Sequence, residues 1–232
     1  MTSSGDYLKP LRMSRVPGRW WLRSLKAATV ALLLLAVPIA STTLRAAPTQ
    51  ATNGAKVYML RGVLNIFSLG LDSIAAKLEA QGIPVDVSNY LSWSAVAEEA
   101  AADFRSGRVK TIILVGHSSG ATVLPDMVER LTQLGAPVKL AIGLDSVFRT
   151  SLTGRVGRYV NYYIGNGNGE PVARTKGLHG ELDNVNVQNV PGVGHITIEK
   201  NEIMQRRVIG DIDAVVFGSR SREVSAASGP AR

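Results

Sequence analysis

The sequence predicts an α/β protein with a mostly parallel sheet flanked by helices. Three observations carry this expectation. Short apolar runs alternate with longer helical patterns between residues 56 and 144. The run Thr111-Ile112-Ile113-Leu114-Val115 is continuously apolar and β-branched, as a strand buried on both faces should be. Glycine is abundant, 23 in 232 residues, which points to many tight turns rather than a plain helical bundle.

Taken in order, Lys56–Leu60 reads as a short strand, followed by a loop at Arg61-Gly62. A helix is expected around Asp72–Gln81, stopped by Gly82. Ile83–Ser88 reads as a second strand, and Ser94–Arg105, rich in Ala and Glu and closed by Gly107, as a second helix. The strand at 111–115 leads into a helix over roughly 119–134, with Val123, Met127, Leu131 and Leu134 on one face. Pro125 lies beyond the first turn of that helix, where proline is expected to kink it. Val138–Leu144 is the next strand. This βαβαβαβ order implies parallel strands with helices on both faces. Further on, Tyr159–Ile164 reads as a strand, Gly165–Gly169 as a loop, Asn184–Val190 as a half-exposed strand and Glu202–Phe217 as the closing helix.

The folded domain is placed at 56–218. Before it, residues 1–46 read as a signal peptide or an amino-terminal membrane anchor. A basic stretch ends at Lys26, and a fourteen-residue apolar run follows over 27–40. That length fits a signal core and falls short of the roughly 20 residues of a comfortable span. Extension to residue 44 keeps an uncleaved tether through 27–44 open. The chain is therefore expected to be exported: periplasmic, secreted or held at the inner membrane. Residues 47–55 read as a linker, and 219–232, rich in Ser, Ala and Arg, as a disordered tail.

The formal charge is +8, yet residues 1–46 carry seven basic residues against Asp6. The basicity belongs mostly to the leader, so the domain has no polyanion signature and no nucleic-acid partner is expected. Cysteine is absent, which excludes disulfides, a thiolate nucleophile and cysteine-ligated zinc. Neither a metal nor an organic cofactor is expected, and the sequence does not fix an oligomeric state.

The chemistry centres on Gly116-His117-Ser118-Ser119-Gly120. A G-x-S-x-G pattern alone arises by chance in about one chain in ten of this length. Its position between the most strand-like run and a helical pattern is what a nucleophile elbow requires. Gly116 and Gly120 remove side chains that would clash where strand and helix nearly meet, and Ser118 is then held in a strained conformation with its hydroxyl exposed. A serine hydroxyl needs a base. Of the three histidines, His117 lies inside the elbow. His195, in the loop Gly192-Val193-Gly194-His195, is preferred over His179. The base needs an acid to fix its tautomer. Asp145, at the end of a strand, is preferred, with Asp183 and Asp126 as competitors; its bland reading is a helix cap or turn. The expected oxyanion donors are the backbone N–H groups of Ser119 and of Val63, in the loop after the first strand.

With these residues in place, the stretch 56–217 resembles the α/β-hydrolase superfamily, in particular its small lipase and thioesterase-like members. The elbow Gly116–Gly120, then Asp145, then His195 carry the resemblance, and Phe67-Ser68-Leu69-Gly70-Leu71-Asp72 is similar to a segment of bacterial hydrolase-like proteins. The resemblance implies a compact, lidless hydrolase fold that cleaves carboxylic esters or thioesters of small molecules through an acyl-enzyme. Arg61-Gly62 stands where the family often has His-Gly. The Gly165–Gly169 loop and Asn161-Tyr162-Tyr163 are candidates for the cleft border, with a plain surface loop and a plain strand as the preferred readings. Two rivals remain: a non-catalytic envelope binding protein on the same fold, and an acyltransferase using the same three residues.

Overall fold

The structure, a computed structural model, describes residues 52–63, 69–167 and 169–218. The expected leader or anchor, residues 47–51 of the linker, Phe67-Ser68, Asn168 and the tail lie outside the described residues. Among the described residues no helix is long and apolar enough to cross a membrane.

Six strands form one all-parallel sheet: β1 (Ala55–Arg61), β2 (Val85–Asn89), β3 (Thr111–His117), β4 (Val138–Leu144), β5 (Ser151–Tyr163) and β6 (Ala173–Asn186). Their order across the sheet is β2-β1-β3-β4-β5-β6. The described helices are α1 (Gly70–Glu79), α2 (Trp93–Arg105), α3 (Ser119–Gln133) and α4 (Glu202–Val216). A short 3-10 turn, Tyr90–Ser92, joins β2 to α2.

Strand alternation sorts the core into two halves. Val57, Met59, Ile113, Val115 and Ile142 point to one face, where Leu71, Ile74 and Leu78 of α1 and Met204, Val208 and Ile212 of α4 cover them. Tyr58, Leu60, Ile112 and Leu114 point to the other, under Ala97 and Ala100 of α2 and Leu124, Met127 and Leu131 of α3. Each Leu or Ile sealed this way contributes about 1.5–3 kcal/mol of transfer free energy. α3 buries Leu124 and Val128, whereas Val123 and Leu134 are only partly covered. Its apolar stripe is thus turned slightly from the expected one. The helix also continues through the buried Pro125, since the missing N–H removes a single helical bond.

The second half departs from expectation. β5 begins eight residues before Tyr159, and β6 starts at Ala173 and ends at Asn186, so residues 187–190 are a turn, not a strand. No helix joins β4 to β5. Leu144 pairs with Tyr162, eleven residues beyond Ser151. A straight β5 would put Ser151 about 36 Å from Tyr162, but the chain from Leu144 to Ser151 reaches only about 25 Å. β5 must therefore bend, and its pairing with β6 slips between Leu152 and Gly154 and between Arg155 and Arg158. At the bend, Gly154 takes φ +96, and the Arg155 N–H donates to Thr132 Oγ1 of α3 at 2.8 Å. Leu152, Val156 and Leu178 pack on the α2–α3 face. Extended arms of β5 and β6 thus do the work of crossover helices.

The fold positions a site in one respect above all. The chain leaves β1 toward β2 and leaves β3 toward β4, in opposite directions across the sheet. That reversal opens a crevice beyond the carboxyl ends of β1 and β3. Among the described residues no inserted lid covers this edge.

The bend supplies a test. A Cβ on Gly154 would stand 2.7 Å from Thr132 Oγ1, at a φ that L side chains avoid. Gly154→Ala is expected to cost about 2 kcal/mol, read as a lower urea midpoint with an unchanged denaturant slope.

Candidate active site

β3 ends at His117 and α3 starts at Ser119, so Ser118 alone makes the turn. Its backbone sits at φ 57, ψ −122, a conformation costing about 1–3 kcal/mol that the surroundings must impose. They do so through close contact. A Cβ on Gly120 would run into the carbonyl of Leu60 on β1, and one on Gly116 would meet the carbonyl of Gly120. The Ser118 N–H donates to the Leu144 carbonyl at 2.9 Å, and its own carbonyl accepts from the Thr122 N–H at 3.0 Å. Ser118 remains partly accessible at the crevice.

His195 and Asp145 converge on it. His195 Nε2 lies 3.0 Å from Ser118 Oγ, and His195 Nδ1 lies 2.7 Å from Asp145 Oδ2. A carboxylate can only accept, so Nδ1 carries the proton and Nε2 offers its lone pair to the serine hydroxyl. Asp145 follows β4 in a left-handed conformation, φ 51, with its side chain fully buried. Its second oxygen accepts from the Ile164 N–H at 2.9 Å, and its own N–H donates to the Tyr162 carbonyl at 2.8 Å. A Cβ on Gly169 would collide with Oδ1, so Gly169 packs directly on this carboxylate.

The competing residues lie elsewhere. Asp183, on β6, accepts from Arg158 Nε at 2.7 Å. Asp126 is exposed on α3, and His179 is exposed on β6. Asp145 caps no helix, because none follows β4. Asn161 is buried and donates to the Glu170 carbonyl and to Asn184 Oδ1, each at 2.9 Å. The Tyr162 hydroxyl donates to Asp211 Oδ2 at 2.7 Å. Asn161 thus ties β5 to β6 and to the loop before it, and Tyr162 ties β5 to α4.

Ser119 opens α3, so its N–H is one of the helix-start donors without an intrahelical partner. Gly62 lies against the serine: a Cβ there would be 2.8 Å from Ser118 Cβ and 3.2 Å from Oγ. Val63 follows it, half exposed. An ion pair between Arg61 and Asp72 ties the end of β1 to α1 on the far side of this loop.

Two features were not read from the sequence. The exposed large apolar side chains among the described residues are Val63, Leu69, Leu91, Phe148 and Ile196. Each lies in a connection that leaves the carboxyl end of a strand or adjoins His195, which puts these side chains toward the sheet's carboxyl edge. The second is the surroundings of His117. It is 1% exposed, and its Nε2–H donates to the His195 carbonyl at 2.8 Å. Glu199, fully buried, stands 3.7 Å from the same nitrogen. Burial drives the His117 pKa down to about 4 and pushes that of Glu199 up. The spacing of Glu199, four residues after His195, was the only available signal, and one such pair distinguishes nothing.

Among the described residues no group of three His, Asp or Glu side chains is placed to hold a metal ion. No protein-family model matches the chain, and no curated protein matches it.

The buried imidazole makes stability depend on pH. His117 ordinarily titrates near 6.5 and does so near 4 here, so the unfolded chain binds the extra proton first as pH falls. Its contribution is complete above pH 6.5 and is lost progressively down to about 4. The loss amounts to about 3 kcal/mol at most. Urea unfolding from pH 7 to 4 should show this fall in the wild-type protein, and His117→Phe should lack that part of it.

Proposed function

We propose that the chain is a serine hydrolase of the α/β-hydrolase type that cleaves carboxylic esters or thioesters through an acyl-enzyme. The observation that supports this most is the unbroken chain Ser118–His195–Asp145, with links of 3.0 and 2.7 Å at the sheet's switch point. The residues follow in the order Ser, Asp, His, as in that fold. The rival reading, a binding protein on the same architecture, gains from a His195 far from Ser118, and the distance favours the enzyme.

Ser118 Oγ attacks the acyl carbonyl carbon while His195 Nε2 takes the hydroxyl proton. The oxygen of the tetrahedral intermediate is stabilised by the Ser119 N–H and by the Gly62–Val63 backbone. His195 returns its proton to the departing alcohol or thiol, leaving the acyl group on Ser118. Water then enters, gives a proton to His195 and adds to the acyl carbon. Collapse of that intermediate expels Ser118, which recovers its proton, and frees the acid. Asp145 holds His195 in the required tautomer and offsets its charge once protonated. The His195 side chain is 30% exposed, so water reaches the base, which favours hydrolysis over transfer to another acceptor.

The exposed apolar side chains at this edge of the sheet favour a substrate with an apolar acyl group, since such side chains gain by covering apolar surface. The amino-terminal segment, read as a leader or tether, would place the reaction on the exported side of a membrane.

A fluorophosphonate probe should label the full-length protein at Ser118, and Ser118→Ala should abolish labelling at an unchanged melting temperature. Asp145→Asn should slow ester turnover by about 10³–10⁴-fold. A folded wild-type protein that resists the probe overturns the hydrolase reading. Phe148→Asp and Ile196→Asp should raise KM several-fold for octanoyl esters and leave acetyl esters nearly unaffected; equal effects on both would remove these side chains from substrate binding.

A further inference from the structure

Ser118 and Asp145 are each held at the end of a central strand, but His195 is not. It lies in the fifteen-residue connection 187–201 between β6 and α4. Local bonds fold that connection on itself: Thr197 Oγ1 accepts from the Gly194 N–H at 2.8 Å, and the Gly194 carbonyl accepts from the Ile198 N–H at 2.8 Å. These bonds shape the turn without attaching it to the sheet. The His195 side chain is held by Asp145, and its backbone is held to the sheet by the 2.8 Å bond from His117 Nε2 to its carbonyl. His117 is the last residue of β3 and is almost wholly buried. Its backbone immediately precedes the nucleophile, so one rigid strand end fixes both the serine and the loop that carries the base.

The protonation of His117 follows from its neighbours. Two oxygens, the His195 carbonyl and Glu199 Oε2, face Nε2 at 2.8 and 3.7 Å. A bare lone pair on that nitrogen would be repelled by both, so the proton resides there. The other charged or titratable groups around the ring are His195, Asp145 and Lys200. Lys200 Nζ reaches Glu199 Oε1 at 3.4 Å. The two imidazole rings lie 5.3 Å apart, tilted by 36°, so a cationic His117 would oppose protonation of His195. Burial keeps His117 neutral at pH 7 and so avoids this.

We propose that, given the hydrolase reading above, His117 is a positioning residue for His195. Its Nε2–H pins the His195 carbonyl to the end of β3 and so keeps the imidazole over Ser118, and the buried Glu199 carboxyl keeps the proton on that nitrogen. His117 does not touch the reacting atoms. It acts through the placement of the base, where a displacement of about 1 Å can cost a hundredfold in rate.

The test uses the full-length protein, labelled with ¹⁵N-histidine, as wild type, His117→Phe, His117→Gln and His117→Asn. Phe fills the site but donates nothing. Gln carries an amide donor of similar reach, and Asn carries one that is a methylene too short. Two readouts are taken: the downfield Nδ1 proton of the His195–Asp145 bond, and the rate of phosphonylation at Ser118. Phe and Asn should lose or broaden the resonance and slow phosphonylation by about 10- to 100-fold with half-saturating probe unchanged. Gln should recover most of both. Full resonance and a rate within about twofold of wild type in Phe or Asn would overturn the proposal. So would a Gln variant as impaired as Phe at equal melting temperature. A wild-type protein that shows the resonance but no labelling refutes the hydrolase reading instead, and the resonance comparison among the variants then decides on His117 by itself.

Discussion

The site depends on one close approach, that of Gly120 in α3 to the Leu60 carbonyl of β1. No residue with a side chain fits there, and without it α3 could not begin one residue after β3 ends. The tightness of that turn puts Ser118 at φ 57 and lifts its hydroxyl out of the strand line. The cost of the strained residue is spread over the sheet beneath it, where Leu60, Leu114 and Val115 are fully buried. A turn anchored in the most enclosed strands resists relaxation in a way that a turn on an edge strand would not.

Asp145 shows the same logic with different means. It too has a positive φ, 51, but no glycine pair imposes it. Its conformation is fixed from β5, by the Tyr162 carbonyl on its N–H and the Ile164 N–H on its carboxylate. The register of β4 against β5 therefore sets where the acid stands. That register in turn requires β5 to descend over α3 and bend back before it can pair, so the irregular half of the fold is what orients His195 through Asp145.

This division also explains what could be read in advance. The elements up to β4 were legible because each is a local pattern: a β-branched run, a helical stripe, a glycine stop. Ser118, Asp145 and His195 were legible as residue types in order, and the structure brings them together. β5 and β6 were seen only in part. Their amino-terminal arms, from Ser151 and Ala173, alternate with polar and glycine residues and lie at the sheet's margin, where exposure erases the apolar signal. The turn at 187–190 keeps two valines, Val187 and Val190, that imitate a strand while packing beside the α1–α4 core. His117 and Glu199 could not be paired from sequence, because their meeting depends on how a fifteen-residue connection folds over the end of β3.

The two carboxyl groups near His195 illustrate how surroundings assign roles to like side chains. Both are fully buried. Asp145 has a donor on each oxygen, the His195 ring and the Ile164 amide, which stabilises it as an acceptor. Glu199 has Lys200 Nζ at 3.4 Å from one oxygen, yet burial still raises its pKa above the usual carboxylate value. A second proton on His117 would set a positive charge on a ring 5.3 Å from that of His195. Such a charge would oppose the proton transfer that the proposed chemistry needs. Two firm donors on Asp145 keep that carboxylate behind His195, while burial keeps His117 neutral at pH 7 and so adds no positive charge beside it.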